Sequence, residues 1–158
     1  MLKFLNTDIV FQEVPNETSL AINITHCPCH CPGCHSPYLW KDIGEELNDQ
    51  ALYGLVDRYK ENITCVCFMG GDTEPQEVER LALRVKEKYE GMKVAWYSGR
   101  QYVPTKVKKT TYDYIKVGPY NAHLGPLSSK KTNQRMLKKR EDGTFEDITS
   151  VFQRKRED

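Results

Sequence analysis

Between residues 19 and 117, short apolar runs alternate with amphipathic stretches, and this alternation constrains the fold more than any other feature. Residues 19–25 read as a buried strand: short, mostly apolar and rich in isoleucine. Residues 63–69, 93–97 and 112–117 read as three more. Between the first and second runs, Leu47, Ala51, Leu52, Leu55, Val56 and Tyr59 recur at helical spacing, with Asn48 as a candidate N-cap. Between the second and third, Val78, Leu81, Ala82, Val85 and Tyr89 form one apolar stripe. Thr73 with Gln76 suggests a capping box for that helix, Pro75 suits its first turn, and Gly91 would end it. Residues 100–109 predict a weak, basic helical connection. This order predicts parallel pairing with right-handed crossovers. A closed eight-stranded barrel takes about 250 residues. A chain of 158 residues is therefore expected to form an open, partial β/α barrel with mainly parallel strands. An opening strand within residues 2–11 and a hairpin from 136–139 and 144–151 flank this unit. The whole, 1–158, reads as one domain, with 152–158 as a frayed tail.

Ligands of parallel sheets sit at the carboxyl ends of the strands. The residues with the most chemistry fall there. The first strand runs into Cys27, Cys31 and Cys34, spaced C-x3-C-x2-C, the second into Gly70-Gly71-Asp72, the third into Ser98-Gly99 and the fourth into Gly118-Pro119. Thiolates bind soft metals, and three on one short loop can converge on one centre. Three ligands leave a coordination position open, which suits a four-iron cluster with one iron free for a small ligand. Zinc is the competing reading, with Cys29, His30 or His35 as the fourth ligand of a closed site in a non-catalytic interaction module. The six cysteines do not read as a disulfide framework, because a chain this long can bury a core without staples. Cys29 is expected to be a spare thiol, and Cys65 and Cys67 to be buried on one face of their strand.

The net charge of +1 gives no global field toward nucleic acid or an anionic membrane. No apolar run approaches the roughly 20 residues of a membrane span. Lys3 and Asp8 interrupt the first residues and do not suit a secretory signal, so the cytoplasm is the expected location.

The cysteine triplet after the first strand, with Gly-Gly-Asp after the second, resembles the radical S-adenosylmethionine enzymes. Within them the chain is similar to the activating enzymes of anaerobic ribonucleotide reductases. Asp8-Ile9-Val10, Trp40, Trp96-Tyr97-Ser98-Gly99, Val117-Gly118-Pro119-Tyr120, Ser128-Ser129 and Thr132-Asn133-Gln134-Arg135 extend the likeness over nearly the whole chain. The resemblance implies that Cys27, Cys31 and Cys34 hold a [4Fe-4S] cluster whose fourth iron takes the amino and carboxylate groups of S-adenosyl-L-methionine. It further implies one-electron cleavage of that cofactor and removal of a hydrogen atom from a glycine of the reductase. Gly33, Cys34, His35, Gly70, Gly71, Asp72 and Ser98 would contact the cofactor, with the Gly70 and Gly71 carbonyls receiving its ammonium and Asp72 supporting them. Lys116 and Asn133 would stand at the rim, and Trp40 would pack beside the cluster loop. No catalytic side chain beyond the cluster ligands is implied. The implied partners are the reductase and a flavodoxin-like electron donor, for which Lys130, Lys131, Arg135, Lys138, Lys139 and Arg140 offer a basic docking run. Activation of another glycyl-radical enzyme, or action on a small metabolite, are enzymatic alternatives. The chain departs from many relatives at Phe11-Gln12-Glu13-Val14-Pro15, where they carry a glycine-rich segment.

Overall fold

A computed structural model describes residues 1–26 and 41–153. Its elements, in chain order, are β1 (Lys3–Val10), β2 (Ser19–Ile24), β3 (Glu45–Glu46), α1 (Asp49–Tyr59), β4 (Cys65–Met69), α2 (Pro75–Lys88), β5 (Lys93–Tyr97), β6 (Tyr114–Val117), β7 (Arg135–Lys139) and β8 (Phe145–Asp147). They form one open eight-stranded sheet in the order β3-β1-β2-β4-β5-β6-β7-β8. The central pairs β2–β4, β4–β5 and β5–β6 are parallel. The flanking pairs are antiparallel, so the sheet is mixed.

The parallel strands advance in one direction across the sheet. Right-handed crossovers then put both helices on the same face. Leu52 and Val56 of α1, and Val78, Leu81, Ala82 and Val85 of α2, pack there on Leu20, Ile22, Val66, Phe68, Val94, Trp96 and Ile115. The alternate residues of the same strands face the other way. Cys65, Cys67, Ala95 and Tyr114 join Val14, Leu127 and Met136 in a smaller core on the helix-free face. Asp49 of α1 bridges Arg80 and Arg84 of α2 at 2.6 and 3.3 Å, and Tyr89 donates to Asp57 at 2.8 Å.

Asn48 caps α1, accepting the Ala51 N–H at 2.9 Å. Such a cap stabilises a helix by about 1 kcal/mol. The expected capping box at Thr73 does not form. Glu74 is the N-cap of α2, without a side-chain bond, and Pro75 opens the helix. Its N-terminus is set instead by a tight turn in which the Glu74 N–H donates to the Gly71 carbonyl at 3.0 Å. Helix α2 ends at Lys88, before Gly91. The helical expectation for 100–109 is also overturned. That stretch is built of turns and ends in a single 3-10 turn at Lys109–Thr111, for Pro104 and its basic residues give no apolar stripe to bury. The C-terminal strand stops at Asp147, and Thr149–Gln153 form a 3-10 turn. Phe152, which the sequence assigns to a frayed tail, packs against the smaller core, and the Gln153 amide donates to the Ser129 carbonyl at 3.0 Å.

Candidate functional site

Register places the carboxyl ends of the four parallel strands side by side. Asn23, Met69, Tyr97 and Lys116 stand in one row across β2, β4, β5 and β6. Everything that follows those strands therefore opens at one end of the sheet. There β2 gives way to residues 27–40. Cys27, Cys31 and Cys34, with Cys29, His30, Gly33, His35 and Trp40, lie outside the described residues. The root of that stretch is held by hydrogen bonds. The His26 N–H donates to the Lys41 carbonyl at 2.9 Å, and the Thr25 hydroxyl donates to the Ile43 carbonyl at 2.5 Å. His26 adopts φ 61°, a left-handed conformation that turns the chain out of the strand.

Gly70, Gly71, Asp72 and Ser98 do come together, and the structure gives each a part. Gly70 (φ 104°) lies against this root, where a Cβ would sit 3.2 Å from the Ile24 carbonyl oxygen. Gly71 (φ 86°) faces the helices, where a Cβ would fall 2.4 Å from Val78. Its glycine identity is thus dictated by packing on α2, not by the approach of a ligand. The two carbonyls are not idle either. Trp96 Nε1 donates to Gly70 at 2.8 Å, and the Glu74 N–H to Gly71. Each oxygen keeps one further lone pair for a ligand.

Asp72 is 2% exposed and Ser98 fully buried. The Ser98 hydroxyl donates to Asp72 Oδ1 at 2.5 Å, and the Gly99 N–H to Oδ2 at 2.9 Å. Both carboxylate oxygens are therefore used in tying the turn after β4 to the turn after β5. A buried carboxylate needs such donors, since an unpaired one would cost several kcal/mol. Arg100 reinforces the tie by donating to the Asp72 carbonyl at 3.2 Å. Lys116, also buried, donates to the carbonyls of Gly118 and Ser98 at 2.8 and 3.2 Å. Asn133 donates to the Pro119 carbonyl at 3.0 Å.

A cleft of about 570 Å³ opens on the helix-free face beside this rim. Met69, Tyr97, Lys116, Tyr120, Gln134 and Phe152 line it, with Gln12 and Glu13 from the segment between β1 and β2. That segment folds under the face. Val14 is fully buried in the smaller core, and Tyr97 donates to the Glu13 carbonyl. Cavities of this size hold drug-sized ligands. Tyr97 and Gln134 belong to stretches that carry the resemblance, which assigns them no role, and Gln12 and Glu13 carry no motif. Strand register would have found Tyr97 alone.

Cys65 and Cys67 are buried on the helix-free face as expected. Burial pushes the Cys65 thiol from 9.0 to about 12 and Cys67 well above its ordinary value. Both stay protonated, and the thiolate is the nucleophile. Neither should react with iodoacetamide at pH 8 until the protein is unfolded, and native labelling read by mass spectrometry checks this. The unfolded chain releases these protons from about pH 9 while the folded chain holds them. Stability should therefore fall as pH rises from about 9 toward 12.

Among the described residues no three His, Cys, Asp or Glu side chains are placed to hold a metal, and no helix is long and apolar enough to cross a membrane. Residues 18–141 match the 4Fe-4S single cluster domain family. The chain belongs to that family. A 4Fe-4S single cluster domain binds an iron–sulfur cluster, which favours iron over the zinc reading. Cys27, Cys31 and Cys34 all fall within the matched span. No curated protein and no solved structure matches the chain.

Proposed function

We propose that the chain is an activating enzyme that reductively cleaves S-adenosyl-L-methionine at a [4Fe-4S] cluster and so generates a glycyl radical on an anaerobic ribonucleotide reductase. The observation that carries this reading is convergence. In a 4Fe-4S single cluster domain, the root of the cysteine loop, the Gly70–Asp72 turn and the Ser98–Arg100 turn meet at one end of the sheet, beside a cleft of ligand size. The residues present fit the cofactors. Three thiolates suit an iron cluster with an open position, the glycine carbonyls retain acceptor capacity for an ammonium, and the cleft has room for a nucleoside.

Cys27, Cys31 and Cys34 would hold the cluster, and Gly33, His35, Gly70 and Gly71 would flank the cofactor. Bound together, cluster and cofactor supply a one-electron cleavage that ends in removal of a hydrogen atom from the partner's glycine. The chain's own residues orient and shield. Asp72 and Ser98 hold the two turns at fixed separation. Val14, Leu127 and Phe152 cover the helix-free face and exclude water. Lys116 brings positive charge to the cleft wall.

The basic run separates in space. Val117 pairs with Arg135 and Tyr114 with Lys138, so Lys130, Lys131 and Arg135 lie toward the site end, while Lys138, Lys139 and Arg140 lie at the far end of β7. The two groups stand about 13 Å apart at strand rise. Lys130 and Lys131 are exposed and follow Ser128 of the cleft wall, so an acidic, flavodoxin-like donor or the reductase would dock there. Charge reversal at Lys130 and Lys131 should slow activation about tenfold or more at low salt and leave the cluster absorption intact. Stopped-time assays of glycyl-radical yield check this, and an unchanged rate would move the docking surface elsewhere.

The deciding experiment is anaerobic incubation with dithionite, S-adenosyl-L-methionine and the candidate reductase, followed by electron paramagnetic resonance. A glycyl radical on the reductase is the expected result. Formation of 5′-deoxyadenosine without it would favour a metabolite, for which the cleft also has room. The absence of both products would overturn the reading.

A further inference from the structure

Trp96 is fully buried among the helix-side core residues, yet its indole N–H reaches the Gly70 carbonyl at 2.8 Å. The indole is also held from behind. Tyr112, also fully buried, stacks on it with ring centroids 5.6 Å apart and planes 26° apart. The Tyr112 hydroxyl has no hydrogen-bond partner among the described residues, so the ring serves the stack and not a polar network. In front, the stack meets Gly70. At φ 104° its peptide has freedom that other residues lack, and nothing in its own side chain fixes the carbonyl.

We propose that Trp96 is a positioning residue: its indole N–H sets the plane of the Gly70–Gly71 peptide and aims the carbonyl's remaining lone pair at the cofactor. This rests on the functional reading above. The indole takes one acceptor position of the oxygen and leaves the other pointing outward in a fixed direction. With the Asp72–Ser98 tie, it makes a two-point clamp between the turn after β4 and the carboxyl end of β5, so the rim has its binding shape before any ligand arrives. Preorganisation of this kind raises affinity by cutting the ordering cost of binding.

Replacing Trp96 by phenylalanine removes the donor and keeps an aromatic on Tyr112. A single neutral hydrogen bond corresponds to about three- to tenfold in an equilibrium. Amide hydrogen exchange at Gly70, Glu74 and Gly99 in W96F should speed up by about that factor, while β4 and β5 keep their protection. Equilibrium binding of S-adenosyl-L-methionine to the anaerobically reconstituted protein should weaken by the same factor with unchanged cluster absorption. Should W96F unfold, an isosteric benzothiophene analogue at position 96, which lacks only the N–H, gives the same readouts in the intact core. Tyr112→Phe, which keeps the stack and loses an unpartnered hydroxyl, should alter neither. Unchanged exchange at the three amides, or a uniform rise through β4 and β5, would overturn the proposal. If wild-type protein binds no S-adenosyl-L-methionine the functional reading fails, and the exchange data still decide whether Trp96 holds the turn.

Discussion

Alanine at any one of Cys27, Cys31 and Cys34 is expected to abolish the broad absorption near roughly 400 nm of the anaerobically purified protein, the signature of sulfur-to-iron charge transfer. In the proposed site each would supply one of three thiolates to a cluster that keeps one iron free. Two thiolates cannot hold four irons against the solvent. Iron content and visible spectra measure the outcome. Cys29→Ala, Cys65→Ala and Cys67→Ala form the control set. Their spectra should match the wild type, for Cys29 stands off the C-x3-C-x2-C spacing, and Cys65 and Cys67 are protonated on the helix-free face. Loss of colour in C29A with retention in C31A would reassign the ligand set. A colourless wild type containing zinc would end the assignment.

Gly71→Ala should be the most damaging conservative change in the described part of the site. The new Cβ would lie 2.4 Å from Val78, a fully buried residue of α2 with no room to retreat. Left-handed backbone costs a side-chain residue about 1–2 kcal/mol, and overpacking a core adds about 1–3 kcal/mol. Together these take about 2–5 kcal/mol from a domain whose total stability is typically about 5–15 kcal/mol. At this chain length the melting temperature should drop by about 10 °C, measurable by circular dichroism on the apo chain. The opposite sign is expected at Gly54. It sits inside α1 with nothing within 4 Å of an added Cβ, so alanine there should stabilise by up to about 1 kcal/mol. Equal melting temperatures for G71A and wild type would mean that the turn relaxes away from Val78.

The order of elements was legible because period and burial agree. Both helical stripes and all four parallel runs lie where apolar spacing puts them, since each must bury one face on the sheet. Helix ends were legible only where a side chain makes the cap. Asn48 does so, whereas α2 starts from a backbone turn at Gly71 that leaves no side-chain mark. The meeting of Gly70, Asp72 and Ser98 followed from parallel order alone. What could not be read was how they meet. A Gly-Gly-Asp tripeptide says nothing of a carboxylate turned toward Ser98 and Gly99, nor of an indole under a carbonyl, because those contacts join residues more than twenty positions apart. The cleft was hidden for the same reason, as its walls come from stretches far apart in the chain, from Gln12 to Phe152.

The His26–Lys41 and Thr25–Ile43 hydrogen bonds bear on the order of assembly. They join the two flanks of the cysteine-bearing stretch through direct hydrogen bonds that involve no metal. Gathering the ends of a chain segment is an entropic cost of chelation, and here the sheet has met it before iron arrives. The apoprotein should therefore keep its strands and accept a cluster late, as a guest in a finished frame.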